Sequence, residues 1–239
     1  MNKYNRSRKH RLVKSIAKFF GYVVAPLDSL DRYGNVRWLR EAESSNEKYE
    51  AIQRAASERK YTLSWARQDT CNEILRMLAD IDNLARSILC HGVRRGEELD
   101  YFSHANVQEI VGTDLYVPPD ADCRIVECDM NKSHRAFDLR FDVIYSNSID
   151  HSLNPIETLL VWAAQLNNKP SARIVLEMDE GHGAIGSSDL DVNGLHLQNF
   201  PFYLSIETGA TLYCDRIARS NIVPTRYFYF ISRRAEYVG

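Results

Sequence analysis

The sequence predicts an α/β protein built on an open, mostly parallel sheet that ends in an antiparallel hairpin. Short apolar runs alternate with helical stretches between Ser87 and Met178, the pattern of parallel strands joined by right-handed crossovers. Within it, Ser87-Ile-Leu-Cys-His-Gly-Val-Arg-Arg-Gly96 reads as a strand, a glycine turn and a helix start, and the next strand closes on Asp114. Gly209 to Ile217 and Tyr227 to Ser232 are two late strands with a short connection around Asn221 to Pro224, so they pair antiparallel at one edge.

Taken in chain order, residues 1–27 carry Lys3, Arg6, Arg8, Lys9, Arg11, Lys14 and Lys18 with no acid until Asp28. Leu12, Ile16 and Phe19 or Phe20 fall on one helical face, which predicts a basic amphipathic N-terminal helix. It contacts either an anionic membrane surface or a protein surface, this domain or a partner. Lys14 and Lys18 interrupt its apolar part, so it reads as a retained segment rather than a cleaved signal. Pro26 and the stretch from Asp28 to Asn35 read as a linker, the opening of a linker and helical lid region over 28–69. Ser44-x-x-Glu47 and Thr70-x-x-Glu73 are capping-box patterns, the first before Tyr49 and Ile52 and the second before Ile74, Leu75 and Leu78. The main domain spans 70–239. Its strands are Ser87 to Cys90, Glu109 to Thr113, Arg124 to Cys128, Asp142 to Ser146 and Arg173 to Met178, with a helix from Ile156 to Leu166 before the last of these.

With 239 residues, 44% of them hydrophobic and 26% charged, the chain can bury a substantial core. A net charge of −2 argues against a general nucleic-acid binder, which needs a clustered basic excess. Cys71, Cys90, Cys123, Cys128 and Cys214 form no Cys-x-x-Cys pair and no zinc spacing, pointing to a reducing, cytoplasmic setting. No apolar run approaches the ~20 residues of a membrane span.

Gly92 and Gly96 let a backbone turn approach a ligand, and Asp114, 22 residues after Gly92, suits ribose hydroxyls. Cys123-Arg-Ile-Val-Glu-Cys-Asp129 and Phe141-Asp-Val-Ile-Tyr-Ser-Asn-Ser-Ile-Asp-His151 add two strands with polar C-terminal ends. Over about Thr70 to Arg233 this run resembles the class I S-adenosylmethionine-dependent methyltransferases, and more narrowly the small methyltransferases of bacterial surface-polysaccharide gene clusters. The resemblance implies a Rossmann-like seven-stranded methyltransferase sheet with S-adenosylmethionine as cofactor. Cys90, His91, Gly92 and Gly96 would then face its methionine part, Asp114 with Leu115 its ribose, and Asp129 with Met130 its adenine; Asn147 completes the cofactor set. The chain departs from the family's acid-x-Gly-x-Gly-x-Gly loop at Cys90 and Arg94. Arg94 either contacts the methionine carboxylate or points to solvent.

Loops at the carboxyl ends of the strands bring Asn147, Asp150, His151, Asp179, Glu180 and His182 toward the reacting methyl. Methyl transfer needs alignment, and a hydroxyl acceptor also needs a base. His151 is that base by its chemistry, with Asp150 beside it and His182 on a glycine-rich loop as the further catalytic candidates; the alternative role for His151 is to cap the helix beginning near Asn154-Pro155. No metal is expected, Asp179, Asp189 and Asp191 reading as solvated turn acids. Ser146-Asn-Ser148 lacks the Asn/Asp-Pro-Pro-Tyr tetrad of base and glutamine amino methylation. The reading is O-methylation of a sugar or glycan intermediate by a cytoplasmic enzyme, peripheral to the membrane through 1–27. A non-catalytic adaptor of the same fold and an NAD-type oxidoreductase are the alternatives; the terminal hairpin and the lack of a Tyr-x-x-x-Lys pair count against the second.

Overall fold

The computed structural model describes residues 31–37, 46–104, 106–180 and 193–234. The amphipathic segment 1–27, Ser44, His182, Asp189 and Asp191 lie outside them. Seven strands form one sheet: β2 (Ser87–His91), β3 (Glu109–Asp114), β4 (Ile125–Glu127), β5 (Val143–Ser146), β6 (Arg173–Asp179), β8 (Leu212–Arg219) and β9 (Arg226–Arg233). Their order is β4-β3-β2-β5-β6-β9-β8, parallel as far as β6, with β9 antiparallel to both β6 and β8. The predicted sheet and its terminal hairpin are therefore present, each strand end within a few residues of its sequence reading.

Successive residues of the central strands are buried on opposite faces, which is why these strands are continuously apolar. Ile144, Ile174, Leu176, Tyr229 and Ile231 pack with helices α4 (Pro155–Gln165) and α5 (Phe200–Glu207). Val143, Tyr145, Val175, Phe228 and Phe230 pack on the other face with α2 (Gln68–Ala79) and α3 (Glu97–Phe102). The chain winds outward from β2 to β4 on one side and from β5 to β6 on the other, so a crevice opens at the carboxyl ends of β2 and β5. Helix α1 (Asn46–Arg59) lies over one side of that crevice, reaching Asp114 and Glu127 through Ser57 and Arg54.

Two features differ from the sequence reading. Thr70 and Glu73 do not cap α2, which starts at Gln68. The Glu73 carboxylate instead accepts from Ser220 Oγ (2.5 Å) and the Asn221 amide (2.9 Å), tying the helix to the β8–β9 turn. Residues 31–37, read as linker and the start of the lid region, form an Asp31-capped turn and strand β1 (Val36–Arg37). This strand pairs with β7 (Asn193–Gly194), and Asn35 Oδ1 accepts from the His196 amide at 2.8 Å.

His91 shows how the core absorbs a polar side chain. Its Nδ1 meets Thr113 Oγ1 at 2.7 Å, its Nε2 meets Gln165 Oε1 at 2.9 Å, and its ring stacks on Trp162 at 4.6 Å. Burial pushes the imidazole down to about 4. An unfolded histidine titrates near ~6.5, so the unfolded chain takes up the proton first as pH falls. The stability that neutral His91 contributes is complete above that value and is lost as pH falls through about 4. Urea titrations are expected to show unfolding free energy declining across this window, with a flatter decline in His91→Gln; equal slopes would show that another group carries the effect.

Candidate active site

The turn after β2 contains three left-handed residues, Gly92 (φ +76°), Arg94 (φ +51°) and Gly96 (φ +81°). Amides of Gly92 and Val93 both donate to the Thr113 carbonyl, at 2.8 and 3.1 Å, latching the turn to the end of β3. What Gly92 supplies is space. A Cβ there would stand 2.8 Å from Ser148 Cβ, in the loop after β5. Arg94 stands where the resembled loops have glycine, and its left-handed backbone costs about 1–2 kcal/mol. Its contacts offset that cost: its amide donates to Asp114 Oδ2 (2.9 Å) and its Nη1 to the Leu63 carbonyl (2.8 Å).

Two adjoining cavities occupy the crevice and share Lys60, Gly92, Arg94, Ser148 and His151. The larger, about 410 Å³, is walled by Trp65, Asn147, Asp150, Met178, Leu195 and Arg226 among others. The smaller, about 60 Å³, lies between α1 and the ends of β3 and β4, with Tyr49, Ser57, Asp114, Leu115 and Met130 in its wall. Asp114 is buried, with Ser57 Oγ donating to its Oδ1 at 2.7 Å and the Tyr116 amide to the same oxygen at 3.1 Å. The segment between α1 and α2 straps the mouth. Its Leu63 carbonyl is held by Arg94, and its Trp65 carbonyl by Arg226 Nη2 at 2.9 Å.

His151 ends the 3-10 turn Ile149–His151 and borders both cavities; Asp150 borders the larger. Asn154, not His151, caps α4, its side chain accepting from the Glu157 amide at 3.5 Å. The His151 carbonyl accepts from the Tyr49 hydroxyl, anchoring α1 to the turn. Behind the larger cavity, buried Glu177 accepts from Tyr145 Oη at 2.6 Å and pairs with Arg226. Burial raises both the carboxyl and the phenol above their ordinary ranges.

Gly92, Asp114, Leu115, Met130, Asn147, Asp150 and His151 are thus brought together at the crevice, and Asp179 joins the larger cavity. Five others are placed differently. Cys90 is 0% exposed on the α2 and α3 face of the sheet, where burial drives its thiol well up. His91 is spent on Thr113, Gln165 and Trp162. Gly96 serves packing, since a Cβ there would stand 2.9 Å from Ile125 Cδ1. Asp129 closes its own turn, Oδ1 accepting from the Asn131 amide (2.9 Å) and Nδ2 (2.7 Å), and reaches neither cavity. Glu180 accepts from Tyr227 Oη at 2.9 Å outside both. Sequence reasoning missed Lys60, Trp65, Glu98, Glu177 and Arg226, which are scattered along the chain and carry no local pattern.

No family model matches the chain, and no curated protein does. Among solved structures it is similar to the 1,6-didemethyltoxoflavin-N1-methyltransferase of Burkholderia thailandensis, bound to 1,6-didemethyltoxoflavin and S-adenosylhomocysteine. The identity is 17%, the match covers 84% of this chain and 94% of that one, and the TM-score is 0.60. It is similar to the N-methyltransferase NodS of Bradyrhizobium japonicum in complex with S-adenosylhomocysteine, at 11% identity, with 77% and 98% coverage and TM-score 0.51. The mitomycin 7-O-methyltransferase MmcR matches at 12% identity over 83% of this chain and 61% of that one, with TM-score 0.50. The likeness establishes the Rossmann-like fold of the methyltransferases.

Proposed function

We propose that the chain is an S-adenosylmethionine-dependent methyltransferase, and that its acceptor is a hydroxyl of a sugar or glycan intermediate. The supporting observation is the convergence of Gly92, Asp114 and His151 on one crevice at the point where the sheet reverses direction. Donor chemistry fits the cofactor. Gly92 lets the loop of Asn147 and Ser148 close against the turn in the cavity wall, and Asp114 offers carboxylate oxygens beside Leu115 and Met130. Five acidic residues against three basic ones line the larger cavity, His151 aside, which suits a cationic ligand. When bound, the cofactor supplies an electrophilic methyl group on a sulfonium.

This chain's residues do the rest. Asp114 would accept hydrogen bonds from the cofactor's ribose hydroxyls in place of the one it accepts from Ser57 Oγ. Trp65, Leu195 and Met178 supply apolar walls for an acceptor whose hydroxyls meet Asp150, Asn147 and Asp179. His151 takes the proton of the attacking hydroxyl. The N and O acceptors of the similar structures differ, so the choice of oxygen rests on His151 and on the Ser146-Asn-Ser148 loop. Peripheral contact with an anionic membrane through the basic residues of 1–27 belongs to the same reading.

Binding tests it directly. S-adenosylhomocysteine is expected to bind, measured by calorimetry, and Asp114→Ala to weaken it by about 1–3 kcal/mol, the cost of unpaired buried hydroxyls. Unchanged affinity would remove Asp114 from the site, and preferential binding of NAD would favour the oxidoreductase.

A further inference from the structure

Five carboxylates are buried in the described residues: Glu73, Glu98, Asp114, Asp142 and Glu177. Four have partners. Glu73 accepts from Ser220 and Asn221, Asp114 from Ser57 and two amides, Asp142 from Lys169 and Asn167, and Glu177 from Tyr145 and Arg226. Glu98, 4% exposed in the first turn of α3, is the exception. Its one hydrogen-bonding influence is its own backbone amide, and it forms no ion pair among the described residues.

Glu98 lines the larger cavity together with Gly92, Val93 and Arg94 of the turn. Its helix packs on the sheet face that holds Cys71 of α2, Cys90 of β2 and Tyr145 of β5, and its charge raises all three groups, so it stands on that face near the end of β2. Of the cations lining that cavity, Arg94 is committed to the Leu63 carbonyl and Arg226 to Glu177 and the Trp65 carbonyl. Burial pushes the Glu98 carboxyl up to about 8, with Glu97 and Glu177 adding to the rise and Arg94 opposing it. A buried acid without a counter-ion is costly and is relieved by a cation that also donates hydrogen bonds. A sulfonium has no N–H to donate, whereas an ammonium has three.

We propose that Glu98 is the counter-ion of the α-ammonium group of the cofactor's methionine part, a proposal that rests on the cofactor reading above. The test compares S-adenosylhomocysteine with its analogue carrying hydrogen in place of the α-amino group, by calorimetry on wild type, Glu98→Gln and Glu98→Asp. Glu98→Gln is expected to weaken S-adenosylhomocysteine by roughly 10–100-fold while the deamino analogue stays within about twofold, a coupling that only direct contact with the amino group produces. The unliganded variant should melt at or above the wild-type temperature, because folding no longer has to protonate a carboxyl that is ionised in the unfolded chain. Equal losses for both ligands, or no loss for either, overturn the proposal and leave the cofactor reading standing. Wild-type protein that binds neither ligand overturns both. Should Glu98→Gln fail to fold, Glu98→Asp decides, since a shortened carboxylate must reduce the preference for the amino-bearing ligand; an unchanged preference rejects the contact.

Discussion

Replacing His151 with alanine is expected to lower methyl transfer by about 10²–10⁴-fold, the usual worth of a general base, while S-adenosylhomocysteine affinity changes little. The split follows from position. His151 stands where the two cavities meet, and its backbone, not its ring, anchors α1 through Tyr49. Truncating the ring therefore removes proton acceptance without releasing the helix. The loss should fall on kcat more than on KM for the acceptor, and Asp150→Asn should cost less because Asp150 borders only the larger cavity. Turnover, cofactor binding and thermal melting measured together decide the matter. A His151→Ala enzyme with wild-type turnover would move the base to Asp150, whereas a lowered melting temperature with proportionate losses in all three would make His151 structural.

Gly92→Val is expected to abolish S-adenosylhomocysteine binding and to destabilise the fold by about 2–4 kcal/mol, the combined order of an overpacked contact and a strained backbone. Two separate penalties meet here. A side chain at φ +76° is disfavoured whatever the space, and a branched one most of all. The added Cβ would also stand 2.8 Å from Ser148 Cβ and 2.9 Å from Ser148 Oγ, forcing the loop after β5 away from the turn. Gly209 offers the control. Its φ is +57° but no atom lies within 4 Å of the added Cβ, so Gly209→Ala isolates the backbone term. Denaturant titration should find Gly209→Ala the milder change by 1 kcal/mol or more, about the cost of the clash. Comparable losses would mean that Ser148 yields easily and that the turn is not closely fitted.

The centre of the sheet was legible because β2, β5 and β6 are buried on both faces, which makes each a short, nearly uninterrupted apolar run between polar ends. Helix α5 was not legible. Phe200-Pro-Phe-Tyr-Leu-Ser-Ile-Glu207 is nearly apolar all round, leaves Phe202 69% exposed, and so lacks the two-sided pattern that marks a surface helix. Thr70 and Glu73 had the spacing of a cap, but Glu73 is bonded to a turn more than a hundred residues away, which no local pattern encodes. Gly92, Asp114 and His151, candidates in the sequence, meet at the crevice because strand ends converge there. Cys90 and His91 lie in the core for the complementary reason. Adjacent strand residues point to opposite faces, and here both faces are core. Asp129 bonds its own turn before it can reach a ligand, a local competition that a short acidic side chain commonly wins.

Arg94 touches both halves of the crevice: its amide holds the Asp114 carboxylate, and its guanidinium holds the strap over the larger cavity. Any ligand that draws Asp114 away from that amide also shifts the point from which Leu63 is suspended. The strap carries little apolar cover, with Leu63 and Trp65 each about half exposed, so its position is governed by these polar ties rather than by repacking. On the proposed methyltransferase reading, cofactor and acceptor would be coupled through this one residue. By thermodynamic reciprocity, whatever factor the first ligand adds to the affinity of the second, the second returns to the first.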